Sequence, residues 1–320
     1  MNQRKILREI QRHKKFLIST HVNPDPDAIA SELALALYLK SLGKQVRVIN
    51  DDGLPLRYAF LPGVAMVQEF RAGQKVDFDA ALVLDCGDLD RIGEVKRLIP
   101  KEKTVINIDH HLTNDRFGDL NLVVPSASST TEVLYDLLKA AGARITAPMA
   151  ELLYVGIMTD TGCFRYDSTT ARAHVAAAEL MRHGFSVSEL YRKVYEGVAL
   201  QDFRQFAKMI DDFETRFDGK AVMVMLPKNK LKKFSEGFDV KDKIFTGLRS
   251  IRGVEVIVIF SEFRPGETRV NFRSQGPRVN VAALAAAFGG GGHRKASGCV
   301  VPGNFSEAKR KIIRKLREIL

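Results

Sequence analysis

Three short apolar runs in the first third of the chain each lead into a polar residue that could bind a cation. The runs are residues 16–20, 80–84 and 105–108, and the residues after them are His21, Asp85 and Asp109. Their β-favouring composition predicts strands, and the helical patterns that separate several of them predict an α/β fold with a parallel sheet. Because open α/β folds bind ligands at the carboxyl ends of their strands, we expect these polar residues at one shared edge.

The chain is predicted to contain two domains, because its element types change twice. Helical patterns dominate from about residue 130 to 217, and strand patterns return at residues 221–226, 254–260 and 269–273. We predict a larger parallel-sheet domain over residues 1–186, a helical linker over residues 187–217 and a smaller α/β domain over residues 218–320.

Charge is divided unevenly between these parts. Residues 1–219 contain 28 Lys and Arg against 30 Asp and Glu, whereas residues 220–320 contain 21 against 8. The whole excess behind the net charge of +11 therefore lies in the last third, which suggests that this part attracts a polyanion. Ordinary solvated helix faces are an alternative explanation for part of this charge.

Composition excludes several classes of protein. The chain is 45% apolar and 27% charged, which is typical of globular domains. Its three cysteines include no C-x-x-C pair, so neither a disulfide framework nor a thiolate zinc site is available. No stretch approaches the roughly 20 apolar residues of a membrane helix, and the first residues lack the apolar core of a signal peptide. We therefore expect a soluble, cytoplasmic protein.

Acidic and histidine residues recur at four places along the chain, in segments 21–27, 85–88, 109–111 and 160–162. One Asp at such a place is often only a helix N-cap, and Asp27 taken alone is explained equally well as an N-cap or as a functional residue. Several carboxylates and imidazoles together would repel one another unless a cation neutralises them, so the set predicts a metal site.

The donor types indicate which ion this site would bind. Asp with some His and no Cys suits Mn²⁺, with Mg²⁺, Co²⁺ or Zn²⁺ as alternatives. The carboxylates and imidazoles are more numerous than one ion needs. We therefore expect two ions about 3.5–4 Å apart that share a bridging carboxylate, an arrangement used in phosphoryl transfer.

A run of four glycines, residues 289–292, precedes His293 and two basic residues. Successive backbone N–H groups of a glycine-rich loop can converge on an oxyanion, which favours a phosphate or carboxylate site, with a flexible turn as the alternative. The Gly-Lys-Ser/Thr of a P-loop is missing, so NTP hydrolysis is unsupported. Arg273 lies on a predicted strand from which it could meet a phosphate, whereas Arg264 is equally consistent with a solvated loop.

Five short motifs occur in the order and at the intervals of one known family. They are His21-x-Asn-Pro-Asp25-x-Asp27, Asp85, Asp109-His110-His111, Asp160-Thr161-Gly162 and the four glycines with His293. In this combination the chain resembles the DHH phosphoesterase superfamily with a DHHA1 domain, and most closely its nanoRNase/pAp-phosphatase branch, over nearly its whole length. Pro26 and Ala30 occupy positions where many relatives have glycine, and we expect this departure to leave the ligands intact.

The resemblance implies a role for each motif residue. Two Mn²⁺ sites share Asp85 as a bridge: His21, Asp25 and Asp85 in one, and Asp27, Asp85, His110 and Asp160 in the other. The resemblance further implies that His111 stabilises the transition state or acts as an acid, and that Asp109 orients a histidine. The implied substrate contacts are Arg273, Ser274, Gly290, Gly291, Gly292 and His293, with Arg264 as a further candidate.

The implied activity is hydrolysis of short single-stranded RNA to mononucleotides and of the 3′-phosphate of 3′-phosphoadenosine 5′-phosphate (pAp), by a protein with no membrane partner that could form a homodimer. A cyclic-dinucleotide or pApA phosphodiesterase is an alternative with the same chemistry. Inorganic pyrophosphatases share the first motifs, but the glycine-rich motif favours the nucleotide branch. A non-catalytic nucleic-acid-binding module is a further alternative, although a binder of anions gains nothing from clustered carboxylates.

Overall fold

The computed structural model describes residues 2–235, 237–276 and 278–320, and for His293 it describes the backbone only. The chain divides into two compact units, residues 1–196 and 197–320. This division falls inside the segment 187–217 for which a helical linker is predicted. Within the described ranges, no helix combines the length and the apolar character needed to cross a membrane.

The first unit is built on a six-stranded parallel sheet, as predicted. Its strands are β1 (Lys15–Ser19), β2 (Gln45–Asn50), β3 (Val67–Glu69), β4 (Ala80–Leu84), β5 (Thr104–Asp109) and β6 (Leu120–Val123), in the order β3-β2-β1-β4-β5-β6. Its helices are α1 (Asn2–Arg12), α2 (Pro26–Ser41), α3 (Thr130–Ala140), α4 (Ala147–Asp160), α5 (Ala171–Met181) and α6 (Val187–Tyr195). Because β1, β4 and β5 are parallel neighbours, their carboxyl ends lie side by side.

Both faces of this sheet are covered, which explains why β4 is apolar at every position. Ile18 and Leu82 face the larger core, which includes apolar residues of α2 to α5. Leu17 and Val83 point to the opposite face and pack with the 3-10 segment Leu89–Leu98. The sheet edge that follows β1, β4 and β5 is therefore fixed by packing from both sides.

The second unit is also an α/β structure, with a mixed six-stranded sheet. Its strands are β7 (Glu214–Arg216), β8 (Ala221–Leu226), β9 (Val256–Arg264), β10 (Glu267–Ser274), β11 (Gly291–His293) and β12 (Ala296–Pro302), in the order β11-β12-β10-β9-β8-β7. Only the β8–β9 pair is parallel among the described strand pairs of this sheet. Its helices are α7 (Leu200–Ile210), α8 (Lys228–Leu231), α9 (Val240–Leu248), α10 (Val281–Ala286) and α11 (Phe305–Leu316).

Alternate residues of this second sheet enter two different cores. Val258 and Phe272 pack with α10 and α11 on one face. Ile257 and Ile259 pack with α7 and α9 on the other. The face that a residue of β10 occupies therefore determines which helices lie near it.

Candidate active site

Four elements bring the predicted acidic and histidine residues together in the first unit. His21 lies just beyond β1, Asp85 directly follows β4, Asp109 ends β5, and Asp160 is the last residue of α4. His21, Asp85 and Asp109 are buried. Asp85 has a left-handed φ of 51°, a conformation that Asp tolerates better than most residues and that is concentrated at functional sites.

Asp85 lies at the centre of the cluster. Its Oδ2 is 3.7 Å from Nε2 of His21, and its Oδ1 is 3.7 Å from both Nε2 of His110 and Nδ1 of His111. These distances are too long for hydrogen bonds. Those to His21 and His110 suit a pair of atoms that bind the same cation at about 2.0–2.2 Å, whereas Nδ1 of His111 contacts Asp109 instead. The hydroxyl of Thr130 donates a hydrogen bond to Oδ1 of Asp85 at 2.8 Å and so orients the carboxylate.

Three groups of side chains each place their potential ligand atoms within 4.8 Å of one another. The groups are His21, Asp25 and Asp85; Asp27, His110 and Asp160; and Asp85, His110 and His111. The first two groups together contain all of the predicted metal ligands, and the third connects them through Asp85 and His110. A mixture of carboxylate and imidazole donors fits divalent cations of intermediate hardness.

Asp27 is held by the N-terminus of α3. Its Oδ2 accepts the backbone N–H of Thr130 at 2.7 Å, and its Oδ1 accepts the backbone N–H of Thr131 at 3.1 Å and the Thr131 hydroxyl at 2.7 Å. Asp25, by contrast, is the N-cap of α2 and accepts the N–H of Ala28 at 3.0 Å. The helix-cap interpretation considered for Asp27 therefore applies to Asp25.

Gly156 on α4 allows this close packing around Asp27. A Cβ atom at Gly156 would overlap both Oδ1 of Asp27 and the side chain of Thr131. Glycine inside a helix costs roughly 1 kcal/mol relative to alanine, so its presence there points to a packing reason. Gly156, Thr130 and Thr131 were not predicted as functional residues from the sequence, and the isolated glycine in an apolar helix was the available signal.

Carboxylates in the cluster oppose one another's ionisation. Burial and then the charge of Asp85 raise the pKa of Asp27 well above its ordinary value. Burial and the charge of Asp27 likewise raise the pKa of the half-buried Asp160. Burial also acts to raise the pKa of Asp85, but the interactions with His21 and the other imidazoles outweigh it and lower that pKa. A divalent cation would relieve this repulsion, so the donor set fits a metal.

Asp109 orients the ring of His111 at the side of the cluster. Its Oδ1 lies 2.7 Å from Nδ1 of His111, and its Oδ2 accepts the side-chain amide of Asn114 at 2.6 Å. Burial acts to lower the pKa of His111, but the hydrogen bond with Asp109 and the charge of Asp85 outweigh it and raise that pKa to about 9. The hydrogen bond with Asp109 therefore favours the charged form of an imidazole that lies beside the candidate metal ligands.

The turn after α4 is tightly constrained and fixes the end of the helix that carries Asp160. Gly162, Cys163 and Phe164 have left-handed φ angles of 56°, 58° and 62°. Such a conformation is uncommon for a non-glycine residue, and here two occur in succession. The Phe164 ring stacks on the ring of His174 with centroids 4.9 Å apart, which anchors the turn.

In the second unit, Arg273 and the glycine segment lie on the same face of the sheet. Asn271 on β10 pairs with Gly298 on β12, which pairs with Gly291 on β11. Arg273, two residues further along β10, pairs with Ala296. Because paired residues, and residues two apart on a strand, share a face, the structure brings the side chain of Arg273 and Gly291 to one side.

Close strand packing accounts for two of the glycines. A Cβ atom at Gly290 would overlap the carbonyl of Gly298, and one at Gly292, whose φ is 133°, would overlap the backbone of Ala296. A Cβ atom at Gly291 would meet nothing within 4 Å. The segment interpreted as a phosphate-binding loop is thus partly a strand, in which Gly290 and Gly292 are needed for packing.

The other predicted substrate contacts have different surroundings. Ser274 is buried on the opposite face from Arg273, and its hydroxyl donates to the carbonyl of Arg294 at 3.3 Å. Arg264 is exposed at the end of β9, with its guanidinium 5.0 Å from the ring of Phe263. The side chain of His293 lies outside the described residues. Substrate contact by these three residues stays a prediction.

Comparisons with known proteins match both units. The model of the DHH family, N-terminal domain, matches residues 15–157, and that of the DHHA1 domain matches residues 235–320. A bifunctional oligoribonuclease and PAP phosphatase NrnA from Thermus thermophilus is 36% identical over 95% of this chain and 89% of its own length. The protein of the same name from Bacillus subtilis is 30% identical over 95% of both chains.

Solved structures share the fold. The crystal structure of an exopolyphosphatase-related protein from Bacteroides fragilis has a TM-score of 0.89 and 28% identity, and the match covers 98% of this chain and 94% of that one. RecJ of Thermus thermophilus, solved in complex with Mn²⁺, has a TM-score of 0.55 and 16% identity over 100% of this chain and 55% of its own, a likeness of fold alone. Together with the sequence identities, these matches place the chain in the DHH phosphoesterase family with a DHHA1 domain, among the relatives named oligoribonuclease and PAP phosphatase.

Proposed function

We propose that this protein hydrolyses short RNA oligonucleotides to mononucleotides and removes the 3′-phosphate of pAp. The observation that carries the proposal is the cluster centred on Asp85, in which three overlapping ligand groups could hold two divalent ions. Two relatives that match nearly the whole chain are named for these two substrates, which supports the substrate class.

Mn²⁺ is the cofactor that we assign to the cluster. Its two sites would be formed by His21, Asp25 and Asp85, and by Asp27, Asp85, His110 and Asp160. When bound, a pair of such ions neutralises the non-bridging phosphate oxygens and lowers the pKa of the attacking water. Asp27 and Asp85 are already oriented for this role by hydrogen bonds from α3.

His111 is the group that we assign to the departing oxygen. The Asp109 carboxylate fixes Nδ1, and this hydrogen bond acts against burial to raise the pKa of the imidazole. A charged ring held in this way can donate a hydrogen bond to the phosphate or a proton to the leaving oxygen. Arg273 in the second unit would bind a phosphate of the nucleotide through its guanidinium.

The proposal is tested by assaying the purified protein against a substrate panel with Mn²⁺, Mg²⁺, Co²⁺ or a chelator. The panel contains a pentanucleotide RNA, pAp, pApA, cyclic di-AMP and pyrophosphate. We expect mononucleotides from RNA and AMP from pAp, and no turnover with chelator. A strong preference for the cyclic dinucleotide would show that the substrate assignment is wrong. RNA binding without turnover in the presence of any of the metals would contradict the assignment of enzymatic activity.

A further inference from the structure

A row of polar side chains extends from Arg273 along β10. Side chains on one face of a strand repeat about every 7 Å, so Arg269, Asn271 and Arg273 form a row about 14 Å long. The register with β9 places them on the face of Ile257 and Ile259, which is the side covered by α7 and α9. Arg269 is exposed, and the other two are half-buried.

Lys241 of α9 adds a cation to the middle of this row. Its Nζ donates a hydrogen bond to Oδ1 of Asn271 at 3.2 Å. Burial and then the charge of Arg269 lower the pKa of the Lys241 ammonium, so the two cations are close enough to repel each other. In the part of the chain that the structure describes, neither Lys241 nor Arg269 forms an ion pair with a carboxylate.

Aromatic rings lie against the two guanidinium groups. The guanidinium of Arg269 lies 4.7 Å from the centroid of the Phe263 ring, and that of Arg273 lies 4.8 Å from the centroid of the Phe245 ring. Such contacts orient a cation and leave its charge in place. Lys241 is half-buried and is repelled by Arg269, while the charge of Asp239 acts in the opposite direction, so a bound anion would further stabilise this pair of cations.

The strand next to this row has small residues on the same face. Gly298 pairs with Asn271 and Ala296 pairs with Arg273, so no large side chain of β12 stands beside these two positions. A repeat of positive charge along a strand suits the backbone of a single-stranded nucleic acid, which carries one negative charge per nucleotide.

We propose that Lys241 and Arg269 bind RNA phosphates beyond the one at Arg273, so that this face of β10 forms a subsite that favours oligonucleotides over single nucleotides. This subsite rests on the proposed function in one respect, namely that short RNA is the substrate. It assigns to Lys241 and Arg269 a role in selecting substrate length, and to Asn271 the role of holding the Lys241 ammonium in place.

The test measures binding without turnover. Affinities for a fluorescent 2′-O-methyl phosphorothioate pentanucleotide and for AMP are measured for wild type, Arg269→Ala, Arg269→Lys and Lys241→Gln at several salt concentrations. We expect Arg269→Ala and Lys241→Gln to lose about tenfold in affinity for the pentanucleotide, to lose far less for AMP, and to reduce the salt slope by about one. Arg269→Lys should retain most of the affinity, because it keeps the charge.

Arg310→Ala is the matched control. Arg310 is an exposed arginine on α11, which packs against the opposite face of the sheet, so its removal changes the net charge equally but not the subsite. The subsite would be overturned if Arg269→Ala and Lys241→Gln lost equal affinity for both ligands, or lost none. A similar loss of affinity for the pentanucleotide in Arg310→Ala would also overturn it. Failure of the wild type to bind the pentanucleotide would overturn it as well, whereas binding without RNA hydrolysis would contradict only the proposed function.

Discussion

Asp27 and Thr131 are joined by two hydrogen bonds although they lie far apart in the chain. Oδ1 of Asp27 accepts the backbone N–H of Thr131 at 3.1 Å and its hydroxyl at 2.7 Å. Both residues are buried, and the pair fastens the start of α2 to the start of α3. As a proposed metal ligand that its neighbours already hold in place, Asp27 would need little rearrangement on ion binding.

The Gly156→Ala substitution should disturb this arrangement directly. Its methyl group would overlap Asp27 and Thr131, so we expect a loss of about 1–3 kcal/mol in the free energy of unfolding and a weaker affinity for Mn²⁺. Chemical denaturation and calorimetric metal titration measure the two effects. Gly247→Ala in α9 is the control, because a Cβ atom there meets nothing within 4 Å, and it should be neutral or stabilising. Equal behaviour of the two variants would show that Gly156 is not needed for packing.

The Asp85→Asn substitution should abolish the binding of both ions. It keeps the size of the side chain, and Asn tolerates the left-handed φ of 51°, so the fold should survive. We expect a fall in kcat/KM of at least about a hundredfold and a loss of Mn²⁺ stoichiometry by elemental analysis. Asp90→Asn, an exposed carboxylate paired with Lys96, should bind both ions normally. Full metal loading of Asp85→Asn would refute the bridging assignment.

The Arg273→Ala substitution should raise KM more than it lowers kcat. Its guanidinium is assigned to a phosphate away from the reacting bond, so its loss weakens substrate and transition state alike. Steady-state kinetics with pAp and RNA at low and high salt measure the effect, which should shrink as salt screens the charge. A fall in kcat at unchanged KM would place Arg273 in the chemical step instead.

Glu32 should make the stability of the first unit depend on pH. It is fully buried in α2, where Oε2 accepts the side-chain amide of Asn50 at 2.8 Å, and burial raises its pKa from 4.5 to about 8. The folded state therefore favours the protonated form, and stability is lost as the pH rises from about 4.5 towards 8.

Denaturation of wild type and Glu32→Gln at pH 5 and pH 8 tests this dependence. Gln mimics the protonated carboxyl, so its stability relative to wild type should increase between the two pH values, by a few kcal/mol at most. Glu102→Gln, at an exposed position, should show no such increase. A constant difference between Glu32→Gln and wild type would mean that Glu32 ionises normally in the folded protein.

The edge of the first sheet could be predicted because its strands are buried on both faces. Burial of this kind requires continuous apolar runs, and the runs that end before His21 and Asp85 are neighbours in the sheet. A polar residue that directly follows such a run is therefore expected at the edge of the sheet, where the buried strand ends. Sequence alone therefore indicated which side chains would meet, although not which atoms of them.

The missed features depend on contacts between distant segments. Strands β3 and β6 are short and lie at the sheet edges, where the apolar pattern is weak. β11 is glycine-rich and forms only because Gly290 and Gly292 let it approach β12. In the sequence, Thr130 and Thr131 are typical of the start of a helix. Their hydrogen bonds to Asp27 depend on α2 lying beside α3, which the local sequence pattern does not indicate.

The order of the ligands along the chain has a consequence for biosynthesis. β1 lies between β2 and β4, and the cluster requires both the loop that follows β1 and the last residue of α4. At about 5–20 residues added per second, Asp160 leaves the ribosome on the order of ten seconds after His21. During that interval the nascent polypeptide exposes an incomplete set of carboxylates, so completion of the proposed site that contains Asp160 must await the emergence of α4.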